Sequence, residues 1–244
     1  MKKVLALLLA TIALPSFAGV NGNVGVWSDY FFRGESQTMG NMAVQGDFGL
    51  DYKGAYGGVW VSQVDIMDAD WEYDLYGGYR LNLNDTWYVD GGVIQYRYDD
   101  KAIDHVEEWF VKGGNNWIEL AMWTDMDDKE KQYKEVTLKM PMITVVDISL
   151  RHGMFDDDSD YQQLTISKSM RNWTLGMEVL DGARDGEFVD SAAFFVSKSF
   201  RTLPLRVSSI FFIFLILSFV TRNIINYPLM WIIEMAQFLL LYYL

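Results

Sequence analysis

The stretch WEYDLYGGYRLN, residues 71–82, decides the fold. Successive side chains of an extended chain point to opposite faces. Trp71, Tyr73, Leu75, Tyr79 and Leu81 therefore share one side, and Glu72, Asp74, Arg80 and Asn82 the other. The pattern repeats along the chain. Met42, Val44, Phe48, Leu50 and Tyr52 oppose Gln45, Asp47, Asp51 and Lys53; Val146, Ile148 and Leu150 oppose Asp147, Ser149 and Arg151; Trp173, Leu175, Met177 and Val179 oppose Thr174 and Glu178. Period-two alternation over such lengths marks strands with one apolar and one polar face. It predicts strands at 23–32, 42–52, 55–66, 70–81, 86–98, 107–112, 116–124, 132–139, 143–154, 161–168, 173–181 and 188–200. Twelve is an even number, as single-chain outer-membrane barrels require.

The connections argue for the same architecture. Every second one is acidic or long: RGESQTMGN (33–41), MDAD (67–70), DDKAIDHVE (99–107), DMDDKEK (125–131), FDDDSD (155–160) and DGARDGE (181–187). Those between are short: KG (53–54), NLND (82–85), GGN (113–115), MPM (140–142) and SMRN (169–172). Long external loops alternating with short periplasmic turns characterise outer-membrane barrels. A soluble sandwich also alternates its loops between two ends, but it gives no reason for acid to gather at one end only. Proline agrees: of four, only Pro141 falls between residues 19 and 200, and it sits at a turn. A barrel has only central strands, which exclude proline because it lacks a ladder donor.

Composition narrows the function. Of 20 Lys+Arg and 33 Asp+Glu, only Lys2, Lys3, Arg201, Arg206, Arg222 and Glu234 lie outside residues 19–200. That region therefore carries 15 against 32, formally −17, more acidic than the chain's −13. This balance argues against nucleic acid as a partner, since phosphates demand a basic patch. With no cysteine, disulfides, thiolate metal sites and thiol nucleophiles are excluded too. A closed ladder with no unpaired edge can hold an exported fold without them.

Both ends are distinct. MKKVLALLLATIALPSFAG begins with two lysines, continues through an apolar run from Val4 to Leu14, and reaches a small-x-small site at Ser16-Phe17-Ala18. That is the pattern of a cleaved export signal, and the expected mature form starts at Gly19 and is exported across the inner membrane of a bacterium, a Gram-negative one if the barrel expected above is an outer-membrane one. The predicted last strand ends in Phe200, with Ala192, Phe194 and Val196 on the same face and Lys198 interrupting it. It resembles the C-terminal signal by which outer-membrane proteins reach the barrel-assembly machinery. Beyond it, Val207–Val220 and Leu229–Leu244 are apolar runs obeying helix rules rather than strand rules. Residues 201–244 are thus expected to be a hydrophobic helical tail, with translation past a lost stop codon or across a frameshift as the favoured reading and an inner-membrane hairpin or anchor as the alternative.

Aromatics crowd the start of WSDYFFRGESQT (27–38), and the expected reason is an aromatic belt where the first strand leaves the bilayer. SDYFFRGESQT followed by AVQGDFGLDYKGAYGGVWVSQVD (43–65) resembles the TorF family of porin-like outer-membrane proteins, the proteobacterial Gcw_chp family. The matching residues are Ser28, Asp29, Tyr30, Arg33, Gly34, Ser36, Gln37 and Thr38, then Gln45, Gly46, Gly57, Trp60 and Ser62, and the resemblance spans about Gly19 to Phe200. It implies an outer-membrane barrel with a transport role and assigns no catalytic residue. The chain departs from the family pattern after Phe200.

Side-chain chemistry points away from catalysis. His105 lies in an acidic loop, and His152 is three residues from Ser149 along a strand, so those two face opposite ways and cannot form a hydrolytic pair. The clusters Asp156, Asp157, Asp158, Asp160 and Asp125, Asp127, Asp128 lack calcium-loop spacing and read as solvated loops, with divalent bridging to lipopolysaccharide phosphates as the alternative. No metal or cofactor is expected. With the apolar faces in lipid, the lumen receives Asp29, Arg33, Asp47, Asp51, Glu72, Asp74, Arg80, Asp147, Arg151 and Glu178. An acid-rich lumen attracts cations. The expected function is a passive channel for small hydrophilic solutes, weakly preferring cations. The alternative is a structural or adhesive barrel with a filled lumen and acidic loops that bind partners or surface polysaccharide.

Overall fold

A strand with one greasy face needs a ladder partner on each edge and an apolar environment on one side. In the computed structural model, which describes residues 19–141, 145–184 and 187–202, the first need is met by closure. Strands β1 (Gly19–Trp27), β4 (Ala43–Tyr52), β5 (Ala55–Ile66), β6 (Ala69–Asn82), β7 (Tyr88–Tyr98), β8 (Val106–Gly114), β9 (Ile118–Asp125), β10 (Gln132–Lys139), β11 (Asp147–Phe155), β12 (Asp160–Met170), β13 (Trp173–Arg184) and β14 (Glu187–Thr202) follow one another around the ring. The ring closes with β1 between β14 and β4. Two short strands, β2 (Phe31–Phe32) and β3 (Glu35–Ser36), pair only with each other. Among the described residues there is no helix.

Register fixes which residues share a face. Trp60 lies opposite Asp74 and Ser62 opposite Glu72; on the other edge of β6, Asp74 meets Tyr96 and Glu72 meets Tyr98. This parity continues through Glu108, Trp123, Tyr133, Arg151, Gln163, Glu178 and Ala193. These inward positions are mostly buried or half-buried. Outward ones such as Val24, Val44, Val93, Leu120 and Phe194 are exposed apolar side chains. Trp87, Trp117 and Trp173 are also exposed near the short turns, where amphipathic rings meet a headgroup layer.

The turns follow local rules. Lys53-Gly54 joins β4 to β5 with both φ values positive, 49° and 92°, the geometry of a two-residue hairpin turn. Pro141 follows β10, outside any ladder.

Eleven predicted strands differ from the observed ones by four residues or fewer at either end. The first does not fit. Predicted at 23–32, it runs from Gly19 and stops at Trp27. The cause is Ser28, whose amide donates to the Phe194 carbonyl at 2.8 Å while its hydroxyl accepts the Phe194 amide at 2.8 Å. The side chain takes the acceptor role that a strand carbonyl would play, so the main chain is free to turn out of the wall. Trp27 is not part of a lipid belt: it turns inward and stacks on Phe195 at 5.6 Å. The leader at 1–18 and the tail at 203–244 lie outside the described residues.

Candidate functional site in the barrel lumen

The segment leaving the wall at Ser28 folds back as a hairpin. Phe31 pairs with Ser36 and Phe32 with Glu35 across Arg33-Gly34, whose φ values are 48° and 86°. That is a two-residue turn needing positive φ at both centres, which glycine supplies without strain. Buried Asp29 holds the base: its Oδ1 accepts from the Ser36 hydroxyl at 2.5 Å and the Thr38 hydroxyl at 2.9 Å. Thr38 Oγ1 in turn accepts the Tyr30 amide at 3.1 Å, and the Gln37 amide donates to the Tyr30 carbonyl at 2.7 Å. The Asp65 amide, donating to the Gln37 carbonyl at 2.7 Å, ties the hairpin to β5. Ser28, Asp29, Tyr30, Ser36, Gln37 and Thr38 thus act together as a fastening.

The tip crosses the lumen. Arg33 Nη1 and Nη2 donate to Glu108 Oε1 and Oε2 at 2.8 and 2.6 Å, a bidentate pair with both side chains largely buried. The Tyr96 hydroxyl donates to the same carboxylate at 3.0 Å. Arg33 Cζ lies 4.3 Å from the ring centre of Tyr133, 4.9 Å from Phe32, 5.4 Å from Trp123 and 6.0 Å from Tyr96, within the range of cation–π attraction. Phe31 packs into a buried cluster with Tyr133, Tyr161, Leu180 and Ala193, while Tyr30 packs against Ala43, Val64 and Ala69 on the other side. A Cβ on Gly34 would stand 2.8 Å from ring atoms of Tyr161. Arg33 reaches β8 and Gly34 touches β12, so the hairpin occupies the lumen at the level of the long loops.

Below the tip, an ion pair crosses between β10 and β11. Arg151 Nε lies 3.3 Å from Glu135, which also accepts from the Tyr133 hydroxyl at 2.9 Å and the Thr137 hydroxyl at 3.0 Å. Towards the short turns the lumen widens into a cavity of about 760 Å³, lined among others by Arg80, Tyr88, Glu119, Lys139, Asp147 and Thr165. Here Lys139 pairs with Glu119 at 3.2 Å, and the Arg80 guanidinium lies 3.5 Å from the Tyr88 ring centre.

Of the residues expected to line the lumen, Asp47, Asp51, Glu72, Asp74, Arg80, Asp147, Arg151 and Glu178 share the inward face. Asp51 accepts from Asn21 at 3.0 Å, and Glu72 Oε1 accepts from the Tyr98 hydroxyl at 3.1 Å. Glu72 Oε2 and Asp74 Oδ1 are buried without a hydrogen-bond partner. Asp29 and Arg33 belong to the hairpin and not to the wall, Asp29 fastening its base and Arg33 reaching inward Glu108 from its tip. Phe194, Val196 and Phe200 face outward. His152 faces outward 3.8 Å from Asp160, on the opposite face from Ser149. Asp125 accepts the Asp127 and Asp128 amides at 2.8 and 3.1 Å, so this carboxylate caps a turn.

The lumen holds further charged groups that the sequence expectation does not include: Asp90, Glu108, Lys112, Glu119, Glu135 and Lys139 all have inward parity. In β8, VEEWFVKGG, acids occupy both faces at Glu107 and Glu108, which blurs the alternation. The parity of the neighbouring strand was the available signal.

A closed twelve-stranded antiparallel barrel, apolar outside and charged inside, is the fold of outer-membrane porins. The solved KdgM porin has it: 9% sequence identity, covering 75% of this chain and 98% of that one, TM-score 0.51. So does a membrane protein from a study of in-meso crystallisation, at 10% identity over 74% of this chain and 83% of that one, TM-score 0.51. At such identities the likeness concerns the fold alone. The chain belongs to the Gcw_chp family, bacterial proteins of unknown function, whose model matches residues 15–200. No curated protein matches it.

Proposed function

We propose that this protein is an outer-membrane channel for passive passage of small hydrophilic solutes, with a preference for cations and no covalent step. The observation that carries this reading is the lumen, a closed wall with charged groups on its inner face and a cavity of about 760 Å³ at the short-turn end. Acids outnumber bases on that face, and a ring of one sign concentrates counter-ions. The hairpin narrows the path, which limits passage to small solutes. The outward strand of Phe194, Val196 and Phe200 suits recognition by the barrel-assembly machinery, and the apolar belt suits outer-membrane lipid with lipopolysaccharide on its outer leaflet.

Planar-bilayer recording of protein purified from outer membranes tests the proposal. Small, cation-selective conductance is the expected result. A second reading draws on the hairpin itself: a structural barrel with a filled lumen, whose acidic loops bind partners. It expects silence even after the hairpin is removed, and that outcome, or anion preference at neutral pH, overturns the channel.

A further inference from the structure

The Arg33 guanidinium is enclosed by groups that belong to the wall. Glu108 comes from β8, Tyr96 from β7, Trp123 from β9 and Tyr133 from β10. Only Phe32 among its neighbours is supplied by the hairpin. A carboxylate offering two oxygens, with three ring faces around it, is a complete receptor for a planar organic cation. In this structure the occupant is tethered: it arrives on a two-residue turn whose two short strands pair with each other and lie outside the barrel ladder. If Arg33 left, Glu108 would remain buried with the Tyr96 hydroxyl as its hydrogen-bond donor, and a buried carboxylate without a counter-charge is strongly unfavourable. The site therefore demands a cation whether or not the hairpin supplies it.

We propose that Glu108, Tyr96, Trp123 and Tyr133 form a binding site for small guanidinium or organic ammonium solutes, and that Arg33 occupies it as a tethered competitor. Resting on the channel reading, this names the solute class: a cation that wins the site releases the hairpin tip, so the cargo itself unblocks its path. Lys112 limits the site to one charge, since its Nζ lies 4.9 Å from the ring centre of Trp123, a ring that Arg33 also faces. Singly charged cations fit better than polyamines. The neighbouring strand adds attraction, because Asp74 lies beside Tyr96 in register and keeps a buried carboxylate oxygen without a hydrogen-bond partner.

Calorimetric titration of methylguanidinium chloride into the full chain in detergent, at constant ionic strength, tests the site. Arg33→Ala vacates it and is expected to bind methylguanidinium about tenfold or more tighter than the wild type, because the tethered competitor is gone. The double variant Arg33→Ala/Glu108→Gln is expected to lose that gain. Equal binding by wild type and Arg33→Ala, or by the single and double variants, overturns the proposal. Arg33→Lys serves if the alanine variant does not fold. A lysine cannot make the two-pronged contact, so methylguanidinium should still bind it more tightly than wild type, and equal binding is again decisive against the site. Bilayer recording of the same proteins separates the two readings. Silence in all of them with Arg33-dependent binding intact removes the channel and leaves the site, whereas conductance without that binding removes the site alone.

Discussion

At the long-loop end of the barrel the interior is packed full: Phe31, Tyr133 and Tyr161 pack together and Arg33 is buried against Glu108. At the short-turn end, Arg80, Glu119 and Lys139 border a cavity of about 760 Å³. The same strands build both regions. Tyr133 and Lys139 share one face of β10, three inward positions apart, yet one is buried in protein and the other lines open space. Strand parity sets only the direction of a side chain. What it meets there depends on whether another segment of chain fills the lumen, and here one hairpin makes the difference.

The most direct way to break this comparison is to remove the hairpin. Replacing residues 30–37 with a glycine-serine linker of equal length should make the two ends alike and raise single-channel conductance about tenfold or more, since a narrow constriction dominates the resistance of a pore. The barrel should survive, because its ladders do not include β2 or β3. Unchanged conductance in a folded variant would mean that the hairpin is not the constriction.

A smaller perturbation sharpens the comparison through one ion pair from each end. Glu108→Ala leaves Arg33 buried without its partner and should destabilise the folded protein by about 3–5 kcal/mol in urea unfolding, with Arg33→Ala/Glu108→Ala costing less. Lys139→Ala removes an ion-pair partner whose side chain is 38% exposed, leaves Glu119 its bond from the Tyr88 hydroxyl, and should cost about 0–1 kcal/mol. Similar losses at both ends would show that the filled region is no drier than the open one.

How legible was this in the sequence? The wall was, because lipid outside and polar lumen inside impose period two on every strand; WEYDLYGGYRLN reads the same way in the structure as on the page. The hairpin was not. Phe31 and Phe32 look like strand continuation, and aromatics beside a polar loop fit the membrane belt. A lumen filled by protein is as dry as a bilayer edge, so composition alone cannot separate the two. The signal that could have done so is Arg33-Gly34, a glycine-containing pair of turn residues between two short runs, which is the spacing of a tight hairpin. The charges of Asp29 and Arg33 point to the barrel interior, but their roles follow only from that turn. Glu72 and Asp74 were legible because β6 alternates cleanly, whereas Glu108 was hidden by its acidic neighbour Glu107.

The wall itself gives a control that should behave alike at both ends. Val93 faces outward near the middle of β7 and is 42% exposed. Val93→Arg should cost about 2–4 kcal/mol in lipid vesicles, the range for a cation at mid-bilayer on a barrel's outer face. In detergent-free buffer the wild type should not stay soluble with its sheet content intact; if it does, the outward face is not a lipid face.

The last comparison is the most local, one glycine from each end. Gly34 has φ +86°, and a Cβ there would meet the Tyr161 ring at 2.8 Å, so Gly34→Ala strains the backbone and crowds the tip at once. The backbone part is worth about 1–2 kcal/mol for an L-residue in left-handed space. Gly113, in the ladder between Val89 and Leu120 near the short turns, has no positive φ, and its nearest Cβ contact is 3.5 Å, so Gly113→Ala should be close to neutral. The strain in Gly34→Ala can be relieved by lifting the tip away from Tyr161. The variant should therefore lose less unfolding free energy than the full penalty and show more frequent channel openings, whereas Gly113→Ala should leave gating unchanged. Matching losses and unaltered openings in the two variants would show that the hairpin turn tolerates a side chain, and that the long-loop end is held by something other than the close fit of Gly34 to β12.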